Sequence, residues 1–193
     1  MEVQLVLLRY LDLGHLEPLW NPKHSLPASI SNLWNLETLI VSSFGDFCLP
    51  HSIRKMVKLR HLHIAGPRGN IEIESPNNLV DYPFLMDNLQ TLSWINPWSW
   101  TDLLVRSLNL RKLGVRVSEC GYTDGRLSLL PIDFLNHVQE LKVSSVFASG
   151  LYLGRAKFQP PPPNLTKLTL KGTGLSSGDM STLAELLPKT SRL

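Results

Sequence analysis

One pattern, apolar-x-x-apolar-x-apolar, recurs seven times along the 193 residues of this chain. It stands at Leu8/Leu11/Leu13, Leu36/Leu39/Val41, Leu59/Leu62/Ile64, Leu89/Leu92/Trp94, Leu110/Leu113/Val115, Val138/Leu141/Val143 and Leu165/Leu168/Leu170. The first positions lie 28, 23, 30, 21, 28 and 27 residues apart, a mean of about 26. Five of the seven first positions follow an Asn or a Lys. Such a period constrains the fold more than composition does, because one short unit cannot bury its own apolar face and must stack on its neighbours. Side chains alternate along a strand, so the second and third residues of each triplet point inward together. The first sits at the preceding bend and turns inward as well.

The period lies within the roughly 20–29 residues of leucine-rich repeats. The spacing therefore predicts an α/β leucine-rich repeat solenoid. About seven parallel strands line its concave face, and short helices, 3-10 turns and loops cross its convex face. Leu26-Pro27-x-x-Ile30-x-x-Leu33 and Leu49-Pro50-x-x-Ile53-x-x-Met56 suit short helices at these crossings, and Leu130-Pro131-x-x-Phe134 repeats the opening. Proline at a helix start fixes φ without removing a needed donor. Eight residues after the first position, regular repeats often place Asn or Cys to bond the bending backbone. Leu16, Phe44, Pro67, Pro97, Ser118, Val146 and Thr173 stand there, so an irregular right-handed arc is expected. Residues 1–193 read as a single repeat domain, truncated at both ends, with a terminal helix at about 179–187.

Hydrophobic residues make up 43% of the chain, enough for a real core, and a net charge of +3 is too small to argue by itself for nucleic acid. Two cysteines, Cys48 and Cys120, support neither a disulfide framework nor a four-cysteine zinc site. The first apolar stretch, Val3 to Leu8, is far shorter than the ~20 residues of a membrane span. A reduced, cytoplasmic setting is expected.

The wording of the repeats is similar to the leucine-rich repeat region of plant intracellular nucleotide-binding disease resistance proteins. The likeness is to their coiled-coil class, related to the late-blight resistance proteins of nightshade plants. It rests on Leu8-Arg9-Tyr10-Leu11-Asp12-Leu13, on the run from Leu26-Pro27 through Leu33-Trp34-Asn35-Leu36-Glu37-Thr38-Leu39, and on Met56-Val57-Lys58-Leu59-Arg60-His61-Leu62-His63. Asp87-Asn88-Leu89-Gln90-Thr91-Leu92, Asn109-Leu110-Arg111-Lys112-Leu113 and Asn164-Leu165-Thr166-Lys167-Leu168 continue it. The resemblance implies a non-catalytic recognition module in plant immunity. Its partner would be a pathogen effector, a guarded host protein or the receptor's own nucleotide-binding module. The site would be the cytoplasm, peripheral to the plasma membrane through a larger receptor. The family's phosphate-cradling G-x-x-x-x-G-K-[ST] loop is absent from the sequence, so no nucleotide or other cofactor is carried over.

The outward positions of the strands read as Tyr10, Asp12 and Gly14; Thr38, Ile40 and Ser42; His61, His63 and Ala65; Thr91, Ser93 and Ile95; Lys112, Gly114 and Arg116; Glu140, Lys142 and Ser144; and Lys167, Thr169 and Lys171. Seven strands at ~4.8 Å spacing give a wall ~29 Å wide, enough for one side of an ordinary interface. Its last three strands carry five cations, Lys112, Arg116, Lys142, Lys167 and Lys171, against Glu140. That half suits an acidic protein surface, or it is a solvated face in which Lys112, Glu140 and Lys167 satisfy one another. His61 and His63 are ordinary surface histidines or a pair of metal ligands, although two ligands do not close a zinc site. Trp98 and Trp100 are partner anchors if exposed and space-filling if buried. No catalytic set or nucleophile elbow is apparent. Three other roles fit a repeat wall: the substrate arm of a ubiquitin-ligase adaptor, a secreted receptor, or a decayed receptor fragment.

Overall fold

The computed structural model describes residues 5–16, 24–43, 47–65, 71–74, 86–95, 103–104, 107–117, 136–145, 162–172 and 176–186. Each apolar triplet runs into one strand of a seven-stranded parallel sheet. In chain order these are β1 (Tyr10–Leu16), β3 (Thr38–Ser43), β5 (His61–Ala65), β7 (Thr91–Ile95), β8 (Lys112–Val117), β9 (Glu140–Ser145) and β10 (Lys167–Lys171). Their spatial order is their sequence order, as stacking of successive units requires. A second parallel sheet joins β2 (His24–Ser25), β4 (Phe47–Leu49) and β6 (Ile71–Ile73).

The backbone repeats in detail. Ahead of most strands a turn closes from the first apolar residue to the residue three before it, as in Leu36 N–H to Leu33 O and Leu59 N–H to Met56 O. At the strand entrance one carbonyl accepts two N–H groups of the following repeat. Glu37 O, for example, accepts from both Arg60 and His61. The same arrangement recurs at Arg9, Arg60, Gln90, Arg111 and Gln139, and it locks the register of every strand in the large sheet.

The Leu-Pro segments form 3-10 turns, Ala28–Asn32 and His51–Lys55, with Pro27 and Pro50 at their N-caps. Their carbonyls accept from Ile30 and Ile53. Side chains three apart eclipse in a 3-10 turn, which explains a spacing of three sustained through Pro50, Ile53, Met56, Leu59 and Leu62. The last four are buried. Leu130-Pro131-x-x-Phe134 lies outside the described residues.

The core runs between the two walls. Leu36, Leu39, Val41, Leu59, Leu62, Ile64, Leu89 and Leu92 are essentially inaccessible, and Leu110, Leu113, Val115, Val138, Leu141 and Val143 follow them. Toward either end burial fades, and Leu8, Leu11, Leu13, Leu168 and Leu170 are only partly covered. A helix, α1 (Ser177–Leu186), begins two residues earlier and ends one earlier than expected. No helix among the described residues is long and apolar enough to cross a membrane. At the β1 edge Leu5 and Leu7 are exposed, Leu7 at 85%. The chain by itself is expected to self-associate through this edge, and a monodisperse monomer in light scattering at tens of micromolar would contradict that.

One expectation is corrected. The fourth triplet does not close with Trp94. Register shifts between Leu92 and Ile95, so that Ile95, read from sequence as outward, pairs with Val115 and is fully buried, while Trp94 is only partly buried at φ +62°. The smaller isoleucine that follows fills the inner slot instead, through a bulge.

Side chains also tie the backbone of one repeat to the next. Among the seven positions eight residues into the repeat only Leu16 is described, and the observed ladder lies elsewhere, on the residue just before the first leucine. Asn35, Asn88, Asn109 and Asn164 donate their amides to Val6 O, Val57 O, Asp87 O and Asn136 O, each two residues before the first apolar residue of the preceding repeat. Lys58 replaces the asparagine once and donates to Asn35 Oδ1 at 2.6 Å. One net hydrogen bond contributes about 1 kcal/mol. Asn109→Ala is expected to cost about that in chemical denaturation. Asn109→Asp, whose carboxylate cannot donate to Asp87 O, should cost more. Equal losses would remove the ladder's role.

Candidate functional site

Because the strands pair in register, equivalent side chains form rows across the solvent face of the large sheet. The first row reads Tyr10, Thr38, His61, Thr91, Lys112, Glu140 and Lys167. The second begins Asp12, Ile40, His63 and Ser93, passes the Trp94 bulge, and ends Gly114, Lys142 and Thr169. The sequence-derived candidates thus share one face, apart from Trp98 and Trp100, which lie outside the described residues.

The candidates are not equally available to a partner. Asp12 accepts the Gly14 N–H at 2.8 Å, where the strand bulges and Gly14 takes φ +56°, so its carboxylate serves a local turn. Tyr10 is more than half exposed at the sheet edge. His61 Nδ1 and Thr91 Oγ1 share a hydrogen bond of 3.1 Å, and His63 Nδ1 and Ser93 Oγ share one of 2.8 Å. The two rings stack with centroids 6.3 Å apart. Among the described residues no group of three His, Cys, Asp or Glu side chains could hold a metal ion.

Glu140 joins two lysines across the strands. Lys112 Nζ lies 2.8 Å and Lys167 Nζ 4.0 Å from its two carboxylate oxygens, the plus–minus–plus arrangement read from the sequence. The hydrogen bond from Lys112 and the charges of the nearby lysines hold the Glu140 carboxyl below its ordinary range. Lys171 is exposed, and Arg116 and Lys142 turn toward Trp94. The basic half is therefore partly self-paired yet keeps a surplus of positive charge.

Trp94 forms the centre of the face. The Arg116 guanidinium and the Lys142 ammonium each lie 5.2 Å from its ring centroid, within cation–π range. Opposite the bulge stands Gly114. A Cβ there would meet Trp94 N at 3.0 Å and Ser93 Cα at 3.2 Å, so the glycine gives the bulged backbone its room. A left-handed conformation costs a bulky side chain about 1–3 kcal/mol. A concavity of about 290 Å³ opens here, with His63, Ser93, Trp94, Lys112, Glu140 and Lys142 in its wall. The bulge escaped sequence reasoning. Its only signals were two large apolar residues in succession, Trp94 and Ile95, and a glycine in the next strand.

Burial, and then the neighbouring His61, push the His63 pKa below 6.5. Burial, followed by the charges of Arg54 and Lys55, does the same at His51, with Glu74 opposing. The unfolded chain then binds more protons than the folded one, so stability falls as pH drops through 6.5. The Glu140 contribution lies in a separate, lower window. Its folded value is depressed, so its stabilisation is present above 4.5 and lost below. Replacing both histidines by glutamine should flatten the loss of melting temperature below pH 6.5 and leave the lower window intact; an unchanged slope near 6 would contradict this.

No model of a known protein family matches the chain. It is similar to disease resistance proteins of the wild potato Solanum demissum. A late blight resistance protein is 37% identical over 198 residues, covering 95% of this chain and 14% of its own length. A late blight resistance protein homolog is 35% identical over 175 residues, 86% of this chain and 12% of its own. Another is 34% identical over 188 residues, 93% and 22% respectively. The chain thus spans about an eighth to a fifth of the length of these curated relatives.

Proposed function

We propose that this chain, related over about nine-tenths of its length to a segment of late blight resistance proteins, is a non-catalytic recognition surface of a plant immune receptor. The solvent face of the large sheet is the concave wall that meets another protein. Its partner is a pathogen effector, a guarded host protein or the receptor's own nucleotide-binding module, and the encounter takes place in the cytoplasm. The observation that carries the reading is the in-register pairing of β8, β9 and β10, which together with the bulge in β7 gathers Lys112, Lys142, Lys167 and the partly exposed Trp94 on one open wall. Surplus positive charge on such a wall steers an acidic surface toward it and sets its orientation. An open sheet face also offers a broad contact area in place of the enclosed pocket typical of small-molecule sites.

The test compares proteins captured from plant extract by the wild-type chain, by a solvent-face reversal (Lys142→Glu with Lys167→Glu) and by an opposite-wall reversal (Lys55→Glu). A partner of this face is retained by the opposite-wall variant and lost by the solvent-face variant. Capture indifferent to both would refute the reading.

A further inference from the structure

We propose that the Trp94 bulge is a recognition seat for an acidic segment of the protein partner, taking one carboxylate beside Lys142 and an adjoining apolar side chain against the indole. This inference rests on the reading of the sheet face as a protein-binding wall and adds to it a place and a chemistry.

Three independent observations converge on the seat. The first is backbone strain held at a large side chain on the solvent face. Ile95 already fills the core slot, so the interior does not require Trp94, yet the chain holds a tryptophan at φ +62°. Strain kept by surrounding structure is a signature of functional positions. The second is Gly114, whose missing Cβ admits the bulge and leaves the second row open between Ser93 and Lys142. The third is the charge around the concavity. Lys142 lies in its wall against the indole, and Glu140, the anion of that lining, is paired with Lys112 and Lys167.

The shape of the charge selects the ligand. Cations lying beside an indole, next to a concavity of about 290 Å³, suit an apolar stem with one carboxylate. Tryptophan and arginine are also the side chains that most often anchor protein interfaces.

The test uses a display library of random 12-residue peptides selected on the whole chain, with binding then measured by fluorescence anisotropy. The expected winners carry Asp or Glu within two residues of an apolar side chain. Their affinity should fall at least tenfold with Trp94→Ala, with Lys142→Glu, or when the peptide's acidic residue becomes its amide. Lys142 is exposed, so its reversal tests the seat even if Trp94→Ala unfolds. Winners without acidic residues, acidic winners indifferent to both variants, or no winners at all would overturn the seat. If winners ignore the seat but are lost on Tyr10→Ala or Lys167→Glu, the wall remains a binding surface and only the seat fails. If no variant of the solvent face changes binding, both readings fall. Inositol hexakisphosphate or a dT12 oligonucleotide binding in a Trp94-dependent way, where acidic peptides do not, would also overturn it.

Discussion

Leu62→Ala is expected to destabilise the chain by about 2–5 kcal/mol in chemical denaturation. Leu62 is fully buried at the centre of the stack, between Leu39 of β3 and Leu92 of β7 in register. The strands on both sides are pinned by the doubled hydrogen bonds at their entrances, so the walls cannot collapse into the space left behind. Removing the side chain therefore forfeits both its transfer free energy and its packing. The same substitution at Leu170, in the last strand and only partly covered, should cost much less. A gradient of this kind belongs to a quasi-one-dimensional stack, in which each unit is stabilised by its immediate neighbours. Equal losses at Leu62 and Leu170 would contradict it.

The second large effect is expected at Gly114. Gly114→Ala places a methyl group 3.0 Å from Trp94 N and 3.2 Å from Ser93 Cα. These are backbone atoms of a paired strand and cannot swing aside, so the overpacking should cost about 1–3 kcal/mol. The explanation makes a sharper claim about a double change. Deleting Trp94 brings Ile95 directly after Ser93 and restores simple alternation from Leu92 inward, with no bulge left to accommodate. In that background Gly114→Ala should be close to neutral, and the difference measures the coupling between the two strands. If the alanine costs the same with and without Trp94, the bulge does not explain the glycine.

Both predictions concern a fold that was largely readable before any coordinates. The triplets named the strands, and consecutive units of similar length had to stack in order, so Lys112, Glu140 and Lys167 could be aligned from residue counts alone. The structure finds them paired at 2.8 and 4.0 Å. The Leu-Pro-x-x-Ile segments announced their short helical turns for the same reason, because a local i to i+3 hydrogen bond leaves a local spacing in the sequence. The asparagine ladder was visible only in half. The recurrence of Asn before leucine is plain, but the acceptors lie 22 to 31 residues away, in the preceding repeat, and no local spacing points to them.

Sequence by itself determined which residues are apolar, how often they recur, and therefore that the chain stacks into parallel strands with a continuous interior. That much follows from the hydrophobic effect acting on a period, which needs no knowledge of neighbours. Tertiary structure alone decided which of two adjacent bulky residues enters the fourth layer. Trp94 and Ile95 are both apolar, and it is the packing of the assembled layer that takes Ile95 inward and leaves Trp94 against Arg116 and Lys142. The most distinctive feature of the wall arises from that choice, because volume in a packed core is a property of the neighbours and not of the residue.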